Sequence, residues 1–583
     1  MGELKRLFRC FGTYKKDLYL GGLLVLVETA FELVIPILMA DLIDEGVMNR
    51  DVPYILHKGV QMAVCALLSL VTGLLYARFA ARAAYGWGAN IREAEYEKVQ
   101  QFAFSNLDRF DSASLVTRMT TDVTVLQNAV NGGLRPLARS PIMLVMGLGL
   151  SVYMNARLSV VFFVCAPLLA VVLLFIVRRV APMYTVLQKA VDRLNHVVEE
   201  NLTAIRAVKA YVRGDYEAEK FCAVNENLTK TSQRTFRLAV LNMPTLQCVM
   251  YVTITLLMWF GGNMILGGEL QVGELTGFLS YVLQVMNSIM MISNAFLLLT
   301  RSLASAHRIG EVLTEPVGLV SPEAARTEVE DGSVDFYHVS FKYHADAREF
   351  ALRDVELHFG AGQTIGILGG TGSAKTTLVQ LIPRLYDVSE GMVCVGGRNV
   401  REYDLTALRD AVGIVLQKNV LFSGTVRDNL RWGDRDATDA ELWEACRAAG
   451  AAEFLEQNAA GLDAEVGQGG VNFSGGQKQR LCIARALLKK PKVLIFDDAT
   501  SAVDTATEAD IRATLSALRN MTKIIIAQRI SSVMHSDQIV VLDDGRVHAV
   551  GTHETLLKSD PIYQELYATQ MRGGDGDGQN NQL

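Results

Sequence analysis

The stretch GQTIGILGGTGSAKTTLVQLIPRLY, residues 362–386, reads as a short apolar strand, a glycine-rich loop and a helix. Within it Gly369, Gly370, Thr371, Gly372, Ser373, Ala374, Lys375 and Thr376 follow the pattern GxxxxGK[ST], with alanine at the second glycine. Such a loop surrounds phosphate oxygens with backbone N–H groups at a helix N-terminus. Lys375 supplies charge, the Thr376 hydroxyl can ligate magnesium, and Thr377 continues the phosphate-facing turn. Ala374 falls where the helix begins, and alanine accepts helical dihedrals, so this substitution is expected to be harmless. Strands alternate with helices from here to about residue 570, which predicts an α/β domain on a largely parallel sheet.

The other half of a P-loop site lies downstream. The apolar run 493–496, VLIF, ends in Asp497, and a carboxylate at such a strand end holds magnesium through water. Asp498 follows directly. NFSGGQKQRLCIARALL, residues 472–488, puts Ser474, Gly475, Gly476 and Gln477 at the entrance of a helix, again facing phosphate.

The first half of the chain differs in kind. The 583 residues exceed what one core organises, half are hydrophobic, and the net charge is only -6. A nucleic-acid partner is not expected at that charge. The eight cysteines include no CxxC pair, so reduced thiols are the simple reading. Apolar segments at 20–43, 60–80, 137–153, 158–177, 240–265 and 275–299 mostly reach the ~20 residues that a bilayer requires, giving six spans. Lys5, Arg6, Arg9, Lys15 and Lys16 precede the first span, while the loop after it carries acids. The positive-inside rule therefore expects both termini in the cytoplasm of a multi-pass cell-membrane protein. The expected organisation is a six-helix transmembrane domain (1–314) with two long cytoplasmic loops, a linker (315–332), an α/β P-loop ATPase domain (333–570) and a disordered tail (571–583).

SGGQKQR shortly before an apolar strand and an acid resembles the signature motif of ATP-binding cassette (ABC) transporters. Other elements of that family stand in its order. Tyr343 matches the aromatic residue that stacks on adenine, Gln417 the glutamine that senses magnesium and the γ-phosphate, and SAVD, residues 501–504, the loop between paired nucleotide domains. With six spans ahead of it, the resemblance covers essentially the whole chain and implies an ABC exporter half-transporter that binds ATP and Mg2+. Thr376, Gln417 and Asp497 would hold the metal. One P-loop and one signature imply a second half-transporter as partner, because each ATP in such exporters lies between the two domains.

Two positions depart from the family. Its catalytic glutamate, which orients or deprotonates the attacking water, is here Asp498, and its switch histidine is Gln528. Both changes fall on cleavage of the γ-phosphate, whereas the ATP-binding residues are retained. The resemblance then points to the degenerate-site subunit of a heterodimeric exporter of amphiphilic drugs or lipids, with the intact signature completing the partner's site. Phe473 and Gln468 are milder departures. The alternatives are a regulatory or gating subunit that binds ATP without active transport, and a slow homodimeric exporter.

Segments 109–123 and 201–221 occupy the two places where such exporters carry coupling helices. In the first span Glu28 and Glu32 lie four residues apart on one face, ahead of Pro36. Acids in a bilayer are expensive. They are expected either to line the substrate path, toward a cation, or to pair with a basic side chain of the partner.

Overall fold

The structure is a computed structural model describing residues 2–344, 346–498, 513 and 520–574. It divides into two compact units, Met1–Gln100 with Ser112–Glu315, and Gln101–Asp111 with Pro316–Leu583.

The first unit is helical. Among the described residues, six helices are long and apolar enough to cross a membrane: Gly12–Val47, Val52–Gln100, Ser112–Met154, Ala156–Thr203, Gly214–Leu266 and Val272–Ile292. They meet the expectation of six spans. Within them, Asn242–Leu266 carries no charged residue and is apolar on all sides, as contact with lipid requires. Helix Val52–Gln100 has 49 residues and is therefore about 74 Å long, more than twice the ~30 Å hydrocarbon layer. Its polar second half continues beyond any bilayer. The first span runs through Pro36 and loosens into a π-helical turn at Leu42–Val47. There Asp44 accepts hydrogen bonds from the backbone N–H groups of Gly273 and Glu274, capping helix Val272–Thr314.

The second unit is α/β. Its six-stranded sheet runs, in spatial order, Arg546–Gly551, Gln538–Asp543, Thr364–Gly369, Thr522–Ile526, Val493–Asp497 and Val412–Val415. All neighbours are parallel except the first pair. Strand Val493–Asp497 is buried at every residue, which explains why its sequence is apolar without alternation. A four-stranded antiparallel sheet carries Val334–Phe341 and Leu352–Phe359. In the parallel register Ile367, Ile526 and Asp497 lie side by side. The C-terminal ends of three strands therefore open on one crevice, the usual ligand position in such sheets. The last helix, Pro561–Gly574, continues past residue 570. Residues 575–583 of the expected tail and the SAVD loop lie outside the described residues.

Candidate nucleotide site

The P-loop leaves strand Thr364–Gly369 and enters helix Lys375–Gln380. Gly369 has φ 156°, and a Cβ there would lie 2.3 Å from the Leu542 carbonyl oxygen, so neither space nor backbone admits a side chain. Gly372, at φ 85°, needs glycine for conformation alone. Ala374 departs from the expected helical start. It precedes the helix at φ 67°, ψ 25°, in the left-handed region, where a Cβ costs roughly 1–2 kcal/mol. The alanine does not adopt the helical dihedrals that made it look harmless, and the family's glycine has a steric reason.

A cavity of about 540 Å3 is lined by Tyr343, Gly369, Gly370, Thr371, Gly372, Ala374, Lys375, Thr376, Thr377, Gln417, Asp497, Asp498 and Gln528. Ser373 is buried below it and donates to the Gly370 carbonyl at 2.9 Å. Lys375 Nζ donates to the carbonyls of Gly369 and Gly370 at 2.9 and 2.8 Å. Desolvation pulls its pKa below the ordinary lysine value, while Asp498 and Asp497 pull the other way. Thr376 Oγ1 donates to Asp497 Oδ1 at 2.9 Å. Burial pushes the Asp497 carboxyl up; the Thr376 hydrogen bond opposes it and Asp498 adds to it. Tyr343 Oη and Thr377 Oγ1 share a 2.7 Å hydrogen bond.

Asp498 sits at φ 51°. Its Oδ2 accepts from Gln528 Nε2 at 2.8 Å, and the Gln417 side chain also hydrogen-bonds its carboxylate. Burial raises its pKa, with these two hydrogen bonds, Lys375 and Arg529 working against the rise.

Two family models match the chain: ABC transporter transmembrane region over residues 18–289 and ABC transporter over 352–501. The ABC transporter ATP-binding protein YfiB of Bacillus subtilis, itself uncharacterised, is 37% identical over 94% of this chain and 95% of its own length. This chain belongs to the ABC transporter family. An ATP-dependent lipid A-core flippase of Desulfotalea psychrophila is 30% identical over 97% of this chain and 99% of its own. A solved bacterial Atm1-family ABC exporter with ATP bound superposes with TM-score 0.78 at 25% identity, covering 96% of this chain and 98% of that one. The protein is a fused ABC exporter half-transporter, a multi-pass membrane protein whose α/β domain binds ATP and couples its hydrolysis to export.

In this ABC half-transporter Ser474, Gly475, Gly476 and Gln477 do not line the cavity. They open helix Gly475–Leu488, with Ser474 Oγ accepting from the Gln477 N–H at 3.3 Å and the Gln477 side chain accepting from the Ser474 N–H at 2.9 Å. Phe473 packs edge-on to Phe454, at 6.3 Å between centroids.

Helix Phe104–Arg109 clusters with the nucleotide-binding unit. Its Asp108 Oδ2 accepts from Tyr386 Oη at 2.7 Å, and the Tyr386 ring meets both Phe104 and Tyr343 edge-on. The contact thus falls just ahead of the segment, 109–123, that sequence singled out for coupling. Gln570 is another residue that sequence reading missed. Its amide accepts from the Ile530 N–H at 2.8 Å and donates to the Gln528 carbonyl at 2.9 Å, fixing the backbone that carries Gln528. A glutamine at the end of a helix gives no motif by which to find it.

Glu28 and Glu32 pair within the chain, with Arg135 and Arg139 of the third span. The basic partner that sequence sought on another subunit is supplied here in cis.

Proposed function

We propose that this exporter subunit moves amphiphilic compounds out of the cytoplasm as one half of a heterodimer, and that its own P-loop holds ATP but hydrolyses it poorly. The observation that carries the reading is the 2.8 Å hydrogen bond from Gln528 Nε2 to Asp498 Oδ2. A base that activates water needs reach and free lone pairs. Asp498 is one methylene short of glutamate, and misplacement by about 1 Å costs roughly 10²-fold in rate. Its carboxylate is also engaged by two side-chain amides, Gln528 and Gln417. Gln528 can donate a hydrogen bond toward a γ-phosphate but cannot bring positive charge to it.

The binding machinery is otherwise complete. Backbone N–H groups of the P-loop and Lys375 would cradle the phosphates, and Tyr343 would stack on adenine. The oxygen donors of Thr376, Gln417 and Asp497 suit a hard cation such as Mg2+. Asp497, whose burial raises its pKa, stands to gain most from it. Bound there, Mg2+ would neutralise charge on the phosphate oxygens.

Two features favour a partner. The signature helix is displaced from the chain's own cavity, leaving Ser474 to Gln477 available to another nucleotide. The tip joining helices Ala156–Thr203 and Gly214–Ala239 exposes Tyr211 and Val212 at 78% and 88%, an apolar patch of the kind that marks an interaction site. The five basic residues ahead of the first span favour cytoplasmic termini. The relative described as a lipid A-core flippase favours an amphiphilic cargo.

The test is ATPase turnover of the chain purified alone and with its partner half-transporter. Slow turnover alone and fast turnover in the pair are expected. Brisk hydrolysis by the chain alone, abolished by Asp498→Ala, would overturn the degenerate-site reading.

A further inference from the structure

Glu28 is the central residue of the 27-residue helix Lys15–Asp41, so it lies where a bare charge is most costly. Glu32 follows one turn later. Arg135 Nη2 donates to Glu28 Oε1 and Arg139 Nη2 to Glu32 Oε2, forming two rungs between the first and third spans. Gly73 of the second span closes over the first rung: a Cβ there would lie 3.1 Å from Glu28 Oε1. Val25, Tyr76 and Ala80 form the apolar floor beside it.

The two members of the first rung differ in access. The Glu28 side chain is 4% exposed and that of Arg135 40%. In the second rung the values are 25% for Glu32 and 22% for Arg139. At the first rung an incoming ligand therefore meets the arginine side chain before the glutamate, whereas at the second rung the two side chains are about equally open. Among the described residues, Arg135 Nε and Glu28 Oε2 have no hydrogen-bond partner, so the first rung is not saturated. Arg135 contributes one nitrogen to Glu28 out of a fork of five N–H donors.

We propose that Arg135, with Arg139 one turn away, forms a membrane-embedded subsite for the anionic headgroup, phosphate or carboxylate, of an amphiphilic ligand. The proposal names the substrate class of the amphiphile reading above and rests on that reading. It also reverses the sign of the cationic ligand that the two glutamates alone invite. Pairing with the glutamates lets two arginines reside in the bilayer without net charge, which lowers the cost of holding the site empty. Arg135 Nε is itself buried, so the terminal Nη N–H groups that Glu28 leaves unused would meet an oxyanion, in the two-point geometry that suits phosphate and carboxylate.

The test uses the full chain, with its partner half-transporter, in nanodiscs of zwitterionic phosphatidylcholine. Retention of radiolabelled dodecyl phosphate and of dodecyltrimethylammonium is measured against empty discs. Wild type is expected to retain the phosphate in excess, and Arg135→Gln and Arg139→Gln each to weaken it about tenfold. Arg135→Lys, which keeps the charge and loses the fork, should fall between. Glu28→Arg combined with Arg135→Glu keeps the pair but presents a carboxylate, so preference should move to the ammonium probe. That exchange covers the case in which a single removal loosens the bundle. Inorganic phosphate that competes assigns the subsite to free anions; failure to compete assigns it to headgroups. Dodecyl phosphate retention unchanged in Arg135→Gln and in the exchanged pair, as when the partner subunit covers Arg135, overturns the proposal. Retention without ATP-dependent export would sink the amphiphile-export reading and leave the subsite standing.

Discussion

Gln528 and Asp498, thirty residues apart in sequence, meet through a 2.8 Å hydrogen bond at the mouth of the P-loop cavity. The pair replaces a longer acid and a chargeable imidazole, and the two replacements fit each other: a short carboxylate is reached by an uncharged amide. Restoring one member alone leaves the other to misplace or occupy it. Asp498→Glu should raise turnover modestly, and Asp498→Glu with Gln528→His by about 10²-fold or more. Steady-state ATPase assays of the two variants side by side check this; equal, unchanged rates would place the defect elsewhere.

Ala374 in the left-handed region pays a steric cost that glycine does not. Part of the gain from Ala374→Gly returns as greater freedom of the unfolded chain, about 0.4–1 kcal/mol. A net stabilisation of roughly 0.5–1 kcal/mol is expected for the nucleotide-binding domain. Ala374→Val should instead destabilise it. Thermal unfolding of both variants without nucleotide gives the comparison.

The buried Asp497 carboxyl has its pKa raised, first by desolvation. A raised acid contributes stability that is present in full below the unfolded value of 3.8 and is lost as pH rises through the folded value. Asparagine carries no such dependence. Without nucleotide or metal, Asp497→Asn should therefore gain on wild type as pH rises from about 4 toward neutrality. Magnesium and ATP should reverse the order by stabilising only the carboxylate. Melting temperatures across that pH range, with and without ligand, measure both signs.

Tyr386 joins Asp108 to the aromatic cluster that holds Tyr343. Tyr386→Phe keeps the ring contacts and removes one hydrogen bond to a carboxylate, worth about 1.5–3 kcal/mol at most. ATP binding should persist while cargo moved per ATP hydrolysed falls several-fold. Parallel transport and ATPase measurements in proteoliposomes would show it, and a preserved ratio would make Tyr386 a packing residue only.

The fold was legible because its signals are long or repeated. Apolar runs of bilayer length give the spans, and strand, glycine loop and helix in succession give the P-loop domain. Tyr343, Gln417, the adjacent Asp497 and Asp498, and Gln528 come from four separate stretches of chain, yet each carries a recognisable neighbourhood in sequence, and the structure lines one cavity with all of them. Dihedral angles were less legible. Ala374 reads as the first residue of a helix, and only the backbone shows the left-handed turn that precedes Lys375. Gln570 holds Gln528 through main-chain atoms, which no side-chain pattern announces. The partners of Glu28 and Glu32 could have been found: Arg135 and Arg139 repeat the four-residue spacing at the start of the third apolar segment, and matching the two spacings would have joined them.

That matched spacing also limits how the first and third spans can move. Glu28 meets Arg135 and Glu32 meets Arg139, so contact advances in the same direction along both helices, which run parallel. A slide of one helical turn, about 5.4 Å, would re-form one rung and strand one acid and one base. A slide of half that distance would re-form neither. Two charges left bare in a bilayer cost about 2.5–3.5 kcal/mol each, so the ladder behaves as a detent: intermediate positions are penalised, and displacement between these helices is held to whole turns.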